Sequence, residues 1–123
     1  NHEDRFIPWP TSFDLVKLCK YLNEQTDVNQ TTAELADFIS LSVRTLDRKF
    51  RRETGMSLKK WRSQLRLMKA IELLNTSKNI TSIALDLGYS SPSPFIYFFR
   101  EHMGMSPAQY RKKVLPKHSK SDP

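Results

Sequence analysis

SVRTLDRKFRRETGMS, residues 42–57, and SPSPFIYFFREHMGMS, residues 91–106, decide the fold, because they are one pattern written twice. An offset of 49 pairs Ser42 with Ser91, Leu46 with Phe95, Phe50 with Phe99 and Arg51 with Arg100. It then pairs Gly55-Met56-Ser57 with Gly104-Met105-Ser106 and Trp61-Arg62 with Tyr110-Arg111. Each copy opens on a serine whose hydroxyl suits a helix start and carries apolar residues at helical spacing. Each stops on a glycine that accepts the left-handed backbone closing a helix. Pro92 stands at the first helical position of the second copy, where a missing N–H removes no bond. Agreement of caps, core and stops together marks an internal repeat.

Working outward, the offset upstream falls to 48, with Ala36 facing Ala84, so the second turn holds one extra residue. Thr31 and Glu34 have the form of a capping box before Leu35, Ala36, Phe38 and Ile39, a short apolar face. Ile83, Ala84 and Leu87 mark the equivalent short helix, followed by a turn at Gly88 to Ser90. Short helix, tight turn and second helix make a helix-turn-helix, whose second helix enters the major groove in DNA-binding proteins. Val43, Leu46 and Phe50 are the expected buried stripe of the first such helix. Ser12 caps a supporting helix carrying Leu15, Leu18, Cys19 and Leu22. Ser57 opens a long helix whose Leu58, Trp61, Leu65, Met68, Ile71 and Leu74 keep period to about Asn75, and Ser106 with Pro107 opens a last one. No strand pattern appears, so the expected fold is all-α. Expected boundaries are an extended arm over 1–11, whose apolar residues pack on something, a first lobe over 12–55, a linker helix over 56–75, a second lobe over 76–111 and a flexible basic tail over 112–123.

The charge is not spread evenly. The chain of 123 residues carries a formal net charge of +7, yet residues 1–41 are net −4, residues 42–69 net +8 and the remainder net +3. A basic excess concentrated in the second helix of one helix-turn-helix and the following part of the long helix is the electrostatic footprint of a polyanion site. The single cysteine, Cys19, lies among leucines and reads as a buried structural thiol in a reducing cytoplasm, with no disulfide or cysteine metal cluster. No apolar run reaches a membrane span of roughly 20 residues. The sequence begins at Asn1 rather than methionine and is expected to be part of a longer protein.

SLSVRTLDRKFRRETGMSLKKWR (40–62) and ITSIALDLGYSSPSPFIYFFREHMGMSPAQYR (80–111) closely resemble the C-terminal DNA-binding domain of the AraC/XylS family of bacterial transcription regulators, over roughly residues 12–111. The second stretch carries the family's signature in Ala84, Gly88-Tyr89, Ser91, Phe95, Phe99-Arg100, Gly104, Ser106-Pro107 and Tyr110-Arg111. The resemblance implies about seven helices, with two homeodomain-like lobes joined by a long helix. It also implies a separate N-terminal domain that senses an effector or dimerises the full-length protein, the fragment itself being monomeric. Transcription activation, RNA polymerase as a second partner and a place at the bacterial nucleoid follow from the same resemblance.

The residues suggest how DNA would be read. Opposite the expected apolar stripe of the first recognition helix, the outward face carries Arg44, Thr45, Arg48, Arg51 and Arg52. An arginine fork can bond O6 and N7 of guanine together, worth about 1–3 kcal/mol of discrimination. Arg44 and Arg48, nearest the helix start, are the expected base readers, and Arg51 and Arg52 the phosphate contacts. Asp47 either accepts from cytosine N4 or orients Arg44 or Arg51. In the second lobe Pro92, Ser93, Ile96 and Tyr97 can touch thymine methyls or base edges but offer no bidentate pair, so this lobe should discriminate less. Packing of Ile96 and Tyr97 against protein is the alternative. Arg62, Arg66 and Lys69 on the long helix are either solvated or meet phosphates, as does Arg100, and Thr31 and Ser91 can offer helix-start N–H groups to phosphate. A helix of about 17 residues spans roughly 25 Å, which suits two recognition helices about one DNA turn, roughly 34 Å, apart on an asymmetric site.

His2, His102 and His118 are scattered, no carboxylate pair shares a face with a histidine, and no glycine-rich phosphate loop exists. No enzyme, cofactor or metal is therefore expected. The rival readings are a sequence-neutral architectural DNA binder and a protein-interaction module.

Overall fold

The computed structural model describes residues 7–25 and 29–114. These contain seven helices and no strand: α1 (Phe13–Glu24), α2 (Thr32–Phe38), α3 (Val43–Thr54), α4 (Leu58–Leu74), α5 (Ile80–Asp86), α6 (Pro92–Met103) and α7 (Pro107–Val114). The chain divides into two compact units, and the boundary between Met68 and Lys69 falls inside α4.

The helix ends follow their local chemistry. Thr31 accepts from the backbone N–H of Glu34 while the Glu34 carboxylate accepts from that of Thr31, completing the capping box. Ser42 accepts from the N–H of Thr45, and Gly55 closes α3 with φ 83° and its N–H on the Arg51 carbonyl. Gly104 closes α6 in the same way, with φ 76° and its N–H on Arg100. Ser57 caps α4 through the Lys60 N–H. Ser106 and Gln109 exchange two bonds at the start of α7. Asn79, not singled out in the sequence, caps α5 through Ser82. Two expected caps occupy their positions but do not bond as caps: neither the Ser12 nor the Ser91 hydroxyl accepts from its own helix.

The 48-residue offset of the turns is a backbone identity. Leu41 N–H bonds to the Ala36 carbonyl and Ser40 N–H to Asp37, just as Tyr89 bonds to Ala84 and Gly88 to Leu85. Both turns pivot on a left-handed residue, Gly88 at φ 94° in the second and Ser40 at φ 58° in the first. A serine there carries a Cβ clash that a glycine avoids.

In the first unit Leu15, Leu18, Cys19, Leu22, Leu35, Ala36, Leu46, Phe50 and Trp61 form one buried cluster. Burial of each large apolar side chain contributes roughly 1.5–3 kcal/mol. The arm is part of this unit: Ile7 and Pro10 are buried, Trp9 meets Trp61 edge-on at 5.6 Å, and Trp61 Nε1 donates to the Pro8 carbonyl at 2.6 Å. In the second unit α5 packs on α6 and α6 on α7 around Ala70, Leu74, Ile83, Ala84, Leu87, Phe95, Phe99 and Pro107.

Several expectations from periodicity are corrected. Val43 is 45% exposed rather than buried with Leu46 and Phe50, both at 0%. It stands in the first turn of α3, outside the buried cluster that takes up Leu46 and Phe50. Phe38 is 41% exposed, lying over Tyr21 at 4.7 Å with the Lys17 ammonium above its ring, instead of facing the core. Along α4 Ala70 is fully buried as well as the expected Trp61 and Leu74, while Met68 and Ile71 are half-buried. Lys112 to Val114 continue α7, where a tail was expected. Residues 1–6 and 115–123 of the expected arm and tail lie outside the described residues.

Candidate nucleic-acid interface

The first recognition helix is fixed from behind and open in front. Leu46 and Phe50 are buried, and Phe50 stands edge-on to Trp61 at 5.8 Å. On its flank Lys49 forms an ion pair with Asp14 of α1, at 3.0 Å. One turn on, the Glu53 carboxylate accepts from the backbone N–H groups of Thr11 and Ser12, each at 2.9 Å, and from the Ser12 hydroxyl. These bonds, with the Lys49 charge, hold the Glu53 carboxyl down at about 2. Ser12 therefore turns its hydroxyl away from its own helix to fasten α3. No periodicity argument finds this, because the partners are 41 residues apart.

Two ladders at four-residue spacing run along the solvent side of α3. One is Arg44, Arg48 and Arg52, all exposed. Among the described residues, no hydrogen bond or ion pair engages these three guanidinium groups. The other is Val43, Asp47 and Arg51. Here the Asp47 carboxylate accepts from Arg51 Nε at 3.0 and 3.1 Å. Thr45 is half-buried and hydrogen-bonds through its hydroxyl to Ser42 at 3.0 Å.

Other sequence-derived positions are distributed as follows. Thr31 is exposed, but its hydroxyl is engaged by the capping box. Arg62 Nη1 donates to the Gln30 carbonyl at 2.7 Å, so its guanidinium braces the segment that leads into α2. The repeat partner Arg111 does the same in the second unit, donating to the carbonyls of Leu74, Leu73 and Thr76. Two arginines of the repeat thus brace backbone carbonyls, each within its own unit. Arg66 and Lys69 are half-buried on α4.

The second recognition helix presents different chemistry. Ser93, Arg100 and Glu101 are exposed, Tyr97 is 67% exposed, and Pro92 and Ile96 are half-buried. Phe98 lies against Tyr89 and His102 and belongs to this unit's packing. Ser91 is exposed at the helix start with its hydroxyl unengaged by the helix.

With this geometry, a family model described as a helix-turn-helix domain matches residues 35–113. The transcriptional regulator NimR of Escherichia coli K12 is 36% identical over 91 residues, 72% of this chain and 33% of that protein. The transcriptional activator RhaS of Escherichia coli K12 DH10B is 39% identical over 79 residues, 63% of this chain and 28% of that protein. The chain therefore spans about a third of the length of these curated relatives. Among solved structures, the DNA-binding domain of the global transcriptional factor AdpA in complex with a target DNA superposes with a TM-score of 0.77. It is 29% identical, with 86% of this chain and 96% of that one covered. The C-terminal domain of AraT from Geobacillus stearothermophilus gives 0.76 at 31% identity, covering 83% of this chain and 86% of that one.

Proposed function

The chain belongs to the AraC/XylS family of transcription regulators, as its helix-turn-helix DNA-binding domain, and from that premise we propose that α3 and α6 read one asymmetric duplex site, with α3 supplying most of the discrimination. The observation that carries this reading is the Arg44, Arg48, Arg52 ladder, exposed and without internal partners among the described residues, on a helix clamped at Lys49 and Glu53. Arg44 and Arg48, at the end of the helix that enters the groove, bond guanine O6 and N7. Arg52 meets phosphate, and Arg51 reaches phosphate with Asp47 steering it. Thr45 lies beside them at the groove edge. In α6, Ser93, Tyr97, Ile96 and Pro92 meet base edges and thymine methyls without a bidentate donor, so α6 anchors and orients. Arg100, Arg66 and Lys69, with the helix starts at Thr31 and Ser91, contribute backbone contacts.

As part of a longer regulator the domain acts in the bacterial cytoplasm, at the nucleoid. There it activates transcription, as the name of the relative RhaS, a transcriptional activator, suggests, with RNA polymerase as its second partner. The rest of the protein supplies the effector response and dimerisation.

Selection of bound sequences from a random duplex pool, followed by competition with unrelated duplex at moderate salt, tests the reading. The expected result is a selected site favoured well over tenfold, with guanines concentrated in one half. A gain below about tenfold would identify a sequence-neutral binder. Undiminished DNA affinity in Arg44→Ala and Arg48→Ala would identify a protein-docking module.

A further inference from the structure

Val43 has no role in the core and none in the reading above. It occupies the first position of α3, with 45% of its surface exposed, while Leu46 and Phe50 behind it are sealed. Solvent exposure of a β-branched apolar side chain is a poor use of this position, because valine favours helices weakly and its surface gains nothing from water. The first turn is also rigid: Ser42 accepts the Thr45 N–H and its hydroxyl is bonded to that of Thr45. Along its own ladder Val43 is followed one turn later by Asp47, whose charge is taken up by Arg51. The ladder therefore begins with a stiff, purely apolar tip, immediately beside Arg44 at the head of the arginine ladder.

The end of a recognition helix that enters the major groove meets base edges, and the one apolar group displayed there is the C5-methyl of thymine. We propose that Val43 is a specificity-determining residue that packs on a thymine methyl in the half-site read by α3, next to the guanine taken by Arg44. The proposal rests on the assignment of α3 as the reading helix and deepens it: the first-lobe half-site contains a thymine recognised by its methyl group alone.

Deoxyuridine tests this directly, since it pairs like thymine and lacks only the methyl. Each thymine of the selected site is replaced singly by deoxyuridine, and binding of the 123-residue chain is measured beside Val43→Ala and Val43→Ser. The wild type should lose roughly three- to fivefold affinity at one thymine in the guanine-bearing half, the scale of one buried methyl. Both variants should bind the thymine and deoxyuridine sites at that position equally while keeping their guanine preference. Val43 is exposed, so both variants should retain wild-type helicity. The proposal is overturned if no substitution in that half weakens the wild type, or if the loss persists unchanged in Val43→Ala. Failure of the underlying reading looks different: no site is selected, or Arg44→Ala leaves the guanine preference intact.

Discussion

Glu53, in the last turn of α3, receives both the backbone N–H and the hydroxyl of Ser12, the residue that opens α1. Helix α3 is thereby tied to the point where the arm becomes the domain. Above the ordinary carboxyl value of 4.5 the bond is fully formed, and the folded state keeps Glu53 ionised down to about 2. Between those values the unfolded chain binds more protons than the folded one, so stability rises with pH across the window and this contribution is lost as pH falls through it. Urea unfolding of wild type and Glu53→Gln should therefore differ most near neutrality and converge toward pH 2. A difference that stays constant over that range would show that the carboxylate's charge is not what holds the clamp.

Ser40→Gly should stabilise the chain. Ser40 sits at φ 58°, where its repeat partner is Gly88. Relief of the left-handed strain, about 1–2 kcal/mol, is partly offset by the greater freedom of unfolded glycine, leaving a gain of roughly 0.5–1 kcal/mol. Denaturant midpoints at unchanged m-value measure it, and a destabilised variant would mean that the serine side chain makes a compensating contact.

The arginines should separate into two groups. Arg44→Ala or Arg48→Ala should relax base preference at single positions by about 1–3 kcal/mol and leave unfolding unchanged. Arg62→Met and Arg111→Met remove charged hydrogen bonds to backbone carbonyls. They should lower stability by about 1.5–3 kcal/mol while the selected sequence stays the same. Calorimetry beside binding to a base-substitution series distinguishes the groups, and altered base preference in Arg62→Met would return that residue to the interface.

Cys19 should resist thiol reagents in the folded chain. It is fully buried, and its burial, with the Glu53 charge nearby, pushes the thiol pKa well above its usual value. Labelling should track global unfolding in denaturant, and rapid labelling under native conditions would reveal local opening of α1.

Residues whose role depends on near neighbours were legible in the sequence. The capping box at Thr31 and Glu34, the stops at Gly55 and Gly104 and the register change between the turns all express bonds closed within a few residues. Helical periodicity likewise placed Leu46, Phe50, Phe95 and Phe99 inward and the arginine ladder outward, since an α-helix fixes side-chain direction by position alone. Tertiary structure decided whatever depends on what stands opposite. Periodicity cannot state that Val43 is left nearly half exposed, that Phe38 lies on the surface over Tyr21, or that Ser12 faces Glu53 across 41 residues. Nor could arginine chemistry alone tell Arg44 from Arg62, because the same guanidinium that reads guanine also satisfies a carbonyl, and only the fold brings Gln30 to one and leaves the other in solvent.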